Sequence, residues 1–136
     1  MQSEGSPIRI VLVDDETSVL FALKLLLQAI GFHVTDFSDS TAALKFLSDG
    51  GECDIVICDL RMPLMSGIKV LEQSKLVRPC LPFLLMSGHA TDEEAENARL
   101  KGAAGFLAKP FRPEEVKELI AQSLGSVPQA PKAGEY

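Results

Sequence analysis

Five short apolar runs, each followed by a longer amphipathic stretch, constrain this chain more than any other feature. The short runs are Ile8–Val13, Phe32–Phe37, Asp54–Cys58, Pro82–Met86 and Ala104–Ala108. They are rich in Val, Ile, Leu and Phe, and most lack the polar alternation of a half-buried strand. A near-continuous apolar run of that length suits a strand buried on both faces. The longer stretches are Thr17–Ile30, Ser40–Ser48, Gly67–Val77, Asp92–Lys101 and Pro113–Leu124. Leu20, Leu23, Leu27 and Ile30 fall on one stripe at helical spacing, as do Val116, Leu119, Ile120 and Leu124. Gly67–Val77 carries Ile68, Val70, Leu71 and Leu76, whereas the apolar side of Asp92–Lys101 is thin, with only Ala95, Ala98 and Leu100. The boundaries carry their own signals. Gly31 follows the first helix as a C-terminal glycine does, Asp49-Gly50-Gly51 breaks the second, and Pro79 stops the third. Acids open the fourth helix, and Pro113 begins the fifth.

Strands alternating with helices imply a parallel sheet covered on both faces. Right-handed crossovers then give a doubly wound α/β sandwich, with its crevice at the carboxyl ends of the strands. One domain is expected over 8–124, with a disordered tail at 1–7 and a disordered tail or linker stub, rich in Pro, Ala and Gly, at 125–136. The apolar share of 46% is enough for a core without staples. Cys53, Cys58 and Cys80 are odd in number and lack metal-ligand spacing, so they are expected as buried reduced thiols. The net charge of −6 argues against direct binding to nucleic acid or an anionic membrane. With no signal peptide and no apolar run of membrane-spanning length, a soluble cytoplasmic protein is expected.

The polar residues at the strand ends test the predicted crevice. The first strand runs into Asp14-Asp15-Glu16, the third into Asp59, the fourth into Ser87-Gly88 and the fifth into Lys109-Pro110. Taken singly, each has an ordinary explanation. Asp14 and Asp15 precede a helix and suit capping, Asp59 suits a turn, Ser87 suits a local backbone hydrogen bond, and Lys109 suits a solvated charge. Three carboxylates, a hydroxyl and an ammonium on one sheet edge point further. Crowded carboxylates repel unless a cation intervenes. Mg²⁺ takes a few carboxylates and keeps waters and phosphate oxygens in its shell. A carboxylate can itself be a nucleophile that becomes an aspartyl phosphate. Asp59, central in the sheet, is the natural nucleophile, Lys109 a point charge for phosphoryl oxygens, and Ser87 a hydrogen-bond donor to another.

These residues resemble the response-regulator receiver domain of two-component systems. The resemblance rests on Val11-Leu12-Val13-Asp14-Asp15-Glu16, Asp59-Leu60-Arg61-Met62-Pro63 with Met65-Ser66-Gly67, Met86-Ser87-Gly88-His89, and Gly102 through Phe111, and it spans about Ile8 to Leu124. It implies a flavodoxin-like five-stranded sheet in the order 2-1-3-4-5. It also implies Asp59 as the phosphorylated residue, and Mg²⁺ held by Asp14, Asp15, Asp59 and the backbone carbonyl of Arg61. Ser87 matches the switch hydroxyl, Phe106 the switch aromatic, and Lys109 the family's lysine, with a cis bond to Pro110. The implied partners are a histidine kinase as phosphodonor and an output domain or downstream protein on the surface of helix four, strand five and helix five. Homodimerisation through helices four and five stays open. Gly88 where many members carry Ala, and Arg61 at a variable place, bear on phosphoryl lifetime. Met1 close to the first strand favours a stand-alone receiver or the amino-terminal part of a transcription factor over a receiver cut from a hybrid kinase.

Rival readings fare worse. An aspartate-nucleophile phosphatase of the dehalogenase class wants a second acid where Arg61 stands. A flavodoxin-like nucleotide site wants a Gly/Ser/Thr loop where the acidic Asp14-Asp15-Glu16 would repel phosphate. A phosphorylation-independent scaffold of the same fold leaves the complete acid, hydroxyl and lysine set without a purpose. His33 and His89 are isolated and are expected on the surface, with no metal or transfer role.

Overall fold

A computed structural model describes residues 6–125. The elements alternate throughout: β1 (Arg9–Val13), α1 (Thr17–Ile30), β2 (His33–Phe37), α2 (Ser40–Ser48), β3 (Ile55–Asp59), α3 (Gly67–Val77), β4 (Phe83–Ser87), α4 (Asp92–Leu100), β5 (Gly105–Ala108) and α5 (Pro113–Gly125). Every expected element is present, with ends within about one residue of the sequence reading. All strand pairs are parallel, in the order β2-β1-β3-β4-β5. Of the two expected tails, Ser6 and Pro7 lie outside any element, Gly125 ends α5, and residues 1–5 and 126–136 lie outside the described residues.

Strand pleating explains why the runs are apolar throughout. Ile10 and Leu12 point to one face of the sheet, and Val11 and Val13 to the other. The first face is closed by Leu20 and Leu27 of α1 and by Val116 and Ile120 of α5. The second is closed by Ala43 and Leu47 of α2, Val70 and Leu71 of α3, and Ala98 of α4. The three central strands are thereby sealed on both sides, and each fully buried Leu, Ile or Phe contributes roughly 1.5–3 kcal/mol. Gly31 takes φ 122° at the end of α1, a left-handed turn that glycine enters without a Cβ penalty.

Three readings of the surface need correction. Leu76 and Leu100 are 75% and 69% exposed, so neither belongs to a buried stripe, and Ala98 is the one buried residue of α4. Cys80 is exposed and Cys53 half-buried, leaving Cys58 as the only fully buried thiol of the three; all are free. The first-helix N-cap is Glu16, which makes no side-chain cap. Asp14 Oδ1 instead accepts the Glu16 N–H at 3.0 Å, just ahead of the helix. His33 and His89 are exposed, in line with expectation.

Candidate functional site

The strand order reverses between β1 and β3, so the connections leaving those two strands diverge and open a crevice at their carboxyl ends. Asp14 directly follows β1 and Asp59 is the last residue of β3. Asp14 is 0% and Asp59 7% exposed, while Asp15 stands nearer to solvent. One carboxylate oxygen from each of Asp14, Asp15 and Asp59 can be chosen so that all lie within 4.8 Å of one another. Lys109, just past β5, reaches back across the sheet edge. Its Nζ lies 2.8 Å from Asp59 Oδ1 and 3.0 Å from Asp14 Oδ2. The Lys109–Pro110 bond is cis, in line with the resemblance.

The electrostatics follow from burial. Loss of water pushes the Asp59 carboxyl above its ordinary value, against the pull of the Lys109 hydrogen bond and charge, while Asp14 and Asp15 add to the push. Burial also works against the Lys109 ammonium, but its hydrogen bonds to Asp59 and Asp14 outweigh that, and its pKa is raised. The lysine thus occupies the place a cation must take if the acids are to stay ionised together. The donor set around it is all oxygen, the kind a hard divalent cation uses.

The remaining expected residues sit around this centre. Ser87 ends β4 and is buried; its Oγ accepts the His89 N–H at 3.1 Å, and its carbonyl accepts the Lys109 N–H at 2.8 Å. Phe106 lies further along β5, half-buried against the core face that carries α4. It borders a crevice of about 190 Å³ between α4 and β5, lined also by Ala95, Ala98 and Ala103. Arg61 follows β3 with its side chain turned away from the acids, toward His89 and Glu94.

Two contributors escaped the sequence reading. Gly67, the first residue of α3, packs directly beneath the end of β3: a Cβ there would meet the Asp59 carbonyl oxygen, Leu85 Cδ2 at 2.7 Å and Leu60 Cα at 2.9 Å. Its N–H donates to the Leu60 carbonyl at 2.8 Å. The glycine in Met65-Ser66-Gly67 was its only signal. The second is Glu94, which carries both half of a helix cap and the partner of Arg61. The capping-box spacing Thr91–Glu94 is visible in the sequence, but the tie to Arg61 is not.

A flavodoxin-like parallel sandwich whose switch point holds an acid cluster and a strand-bridging lysine defines a class of α/β signalling domain. Comparison with known proteins makes the assignment specific. The sequence model of the response regulator receiver domain matches residues 10–121. The chain belongs to that family, the receiver domain of two-component response regulators, which take phosphate from histidine kinases and regulate output domains. It is 39% identical over 122 residues to the response regulator protein TmoT of Ectopseudomonas mendocina, covering 88% of this chain and 54% of that protein. The chain therefore spans about half the length of this curated relative. A response regulator receiver domain protein of Clostridium thermocellum superposes with TM-score 0.80 at 30% identity, over 86% of this chain and 94% of that one. The receiver domain of the sensor histidine kinase PA1611 of Pseudomonas aeruginosa PAO1, 23% identical, has the same fold with TM-score 0.78. That match covers 89% of this chain and 100% of the PA1611 domain, whose structure has a magnesium ion coordinated in the active-site cleft. Among the described residues, no helix is long and apolar enough to cross a membrane.

Proposed function

We propose that Asp59 accepts a phosphoryl group from a histidine kinase's phosphohistidine, and that this modification switches the α4-β5-α5 surface toward a partner or output domain. The supporting observation is the contact of Lys109 Nζ with Asp59 and Asp14 at 2.8 and 3.0 Å, inside a cluster of three carboxylates. An Asp59 carboxylate oxygen attacks phosphorus, the P–N bond breaks, and the imidazole nitrogen leaves with its electron pair. Asp59 stands at a rigid strand end, held by the β3–β4 pairing with Met86, so attack needs no search for geometry. Lys109 bridges two acids before transfer and offers its ammonium to the added phosphoryl oxygens afterwards. The Ser87 hydroxyl donates to another of those oxygens.

Asp14, Asp15, Asp59 and the Arg61 carbonyl would hold Mg²⁺, which when bound neutralises charge on the phosphoryl group. The all-oxygen donors and their mutual spacing fit that ion. In this reading the domain is a phosphoacceptor that assists its own phosphorylation and dephosphorylation, with one such unit over 8–124. A phosphatase of the dehalogenase class is disfavoured further, because the position that would supply its acid is Arg61, already committed to Glu94.

The switch reading has its own support. Ser87 lies at the end of β4 and Phe106 faces the crevice beside α4, a helix with Ala98 as its one fully buried residue. An element held so lightly shifts for a small difference in free energy. Mass spectrometry after incubation with acetyl phosphate and Mg²⁺ tests the assignment: wild type should gain one phosphoryl group and Asp59→Asn none. An unmodified wild type, or a variant that labels equally, would refute it.

A further inference from the structure

A hydrogen-bonded chain starts at Ser87, at the end of β4, and ends in the first turn of α4. The Ser87 hydroxyl accepts the His89 N–H at 3.1 Å. The His89 carbonyl accepts Arg61 through its NH2 group at 2.8 Å and its Nε at 3.3 Å. The same NH2 group lies 2.6 Å from Glu94 Oε1. That oxygen also accepts the Thr91 N–H at 3.0 Å, while Thr91 Oγ1 accepts the Glu94 N–H at 3.0 Å. One carboxylate oxygen thus serves the helix cap and the ion pair together. Arg61 belongs to the loop leaving β3, two residues after Asp59, and Glu94 belongs to α4, so the pair ties two separate segments at the rim of the site.

We propose that the Arg61–Glu94–His89 contact is an interlock, holding the first turn of α4 against the β3–α3 loop while Asp59 is unmodified and released when Asp59 carries a phosphoryl group. The release step rests on the reading of Asp59 as the phosphoacceptor; the holding step does not. The physical case has three parts. The burial of α4 is thin, so the ties at its ends, Arg61–Glu94 at the first turn and Lys101–Glu72 just past the last, matter to its seating. A phosphoryl group adds about −1.5 to −2 of charge at the site, and Arg61 is the cation two residues away. Drawing the guanidinium toward that charge removes it from Glu94, in a helix turn that already crowds Asp92, Glu93 and Glu94. Movement of Ser87 toward the phosphoryl group would also withdraw the acceptor from His89 N–H, loosening the carbonyl that holds Arg61.

Glu94→Gln separates the two jobs of this residue, because Gln still completes a capping box but carries no charge. Arg61→Gln removes the other end while leaving the Arg61 backbone carbonyl in place. Amide hydrogen exchange of Ala95–Ala98, followed by NMR on the full chain, reads the first turns of α4. Each unmodified variant should exchange about two- to fivefold faster than wild type, the range an exposed ion pair supports, and the double variant no faster than either. Acetyl phosphate with Mg²⁺ should speed the same amides in wild type and add little in Glu94→Gln. Wild-type rates in both single variants, or effects that simply add in the double, would overturn the interlock. If mass spectrometry shows wild type phosphorylated while α4 exchange stays unchanged, the release step is wrong. If no phosphoryl group is found, the phosphoacceptor reading fails and takes release with it, while the unmodified variants still decide whether the interlock holds.

Discussion

Gly67→Ala is the substitution that most directly joins the fold to the site. The added methyl would meet the Asp59 carbonyl oxygen, Leu60 Cα at 2.9 Å and Leu85 Cδ2 at 2.7 Å. Two of those three neighbours are backbone, in the last residue of β3 and the one after it, so they cannot turn aside as a side-chain tip does. Relief requires α3 to lift or the end of β3 to shift, an overpacking cost of about 2–3 kcal/mol. For a domain of this size that lowers Tm by about 6–12 °C. Gly105→Ala is the internal comparison. The three atoms nearest its new methyl all belong to the Leu119 side chain, from 2.8 Å outward, which can turn aside as backbone cannot, so its cost should be below about 1.5 kcal/mol. Thermal unfolding by circular dichroism measures both. Because the shift in Gly67→Ala falls on Asp59 itself, acetyl phosphate labelling at a temperature where the variant is folded should also slow, while Gly105→Ala labels normally. A Gly67→Ala protein within about 2 °C of wild type, or one no worse than Gly105→Ala, would refute the claim that α3 is seated against the Asp59 backbone.

Three other outcomes follow from the same geometry. Lys109→Met leaves Asp14 and Asp59 facing each other without their cation, so metal-free stability should drop by about 1–3 kcal/mol, and Mg²⁺ should raise Tm more than in wild type; an unchanged Mg²⁺ response in a melting titration would count against it. The raised pKa of Asp59 means the native state holds that proton more tightly than the unfolded chain, so stability is lost as pH climbs from the ordinary carboxylate range through the folded-state value. Metal-free Asp59→Asn should therefore be more stable than wild type at neutral pH, with the advantage gone in acid, and calorimetry showing the reverse order would reject the burial argument. Thr91→Ala removes the hydroxyl that caps α4 and should cost about 1 kcal/mol, seen as faster amide exchange confined to α4; equal loosening of α2 or α5 would show that α4 is not separately held.

Much of this molecule was legible from pattern alone. Strands buried on both faces leave no polar alternation, and Ile8–Val13 or Pro82–Met86 announce themselves for that reason. Stripes at helical spacing and the glycines and prolines that end them did the rest. The strand-end acids, hydroxyl and lysine could be paired with one another because a parallel sheet sends every strand's carboxyl end to the same edge. Exposure was harder to read. Leu76 and Leu100 are as apolar as the core leucines, yet each stands two residues after a buried one, Ser74 and Ala98, which places it on the outward face of its helix.

What the chain order by itself determined is the local sequence of five strand–helix units and the set of chemical groups delivered to their carboxyl ends, because hydrophobic period and turn chemistry are local properties. What only the tertiary structure decided is which partners those groups take. Lys109 and Asp14 are 95 residues apart yet 3.0 Å from one another. Arg61 and Glu94 meet because the loop after β3 and the first turn of α4 share a rim. Gly67 matters because a backbone passes where its side chain would be. Such contacts depend on distances between segments far apart in the chain, and no local pattern encodes those distances.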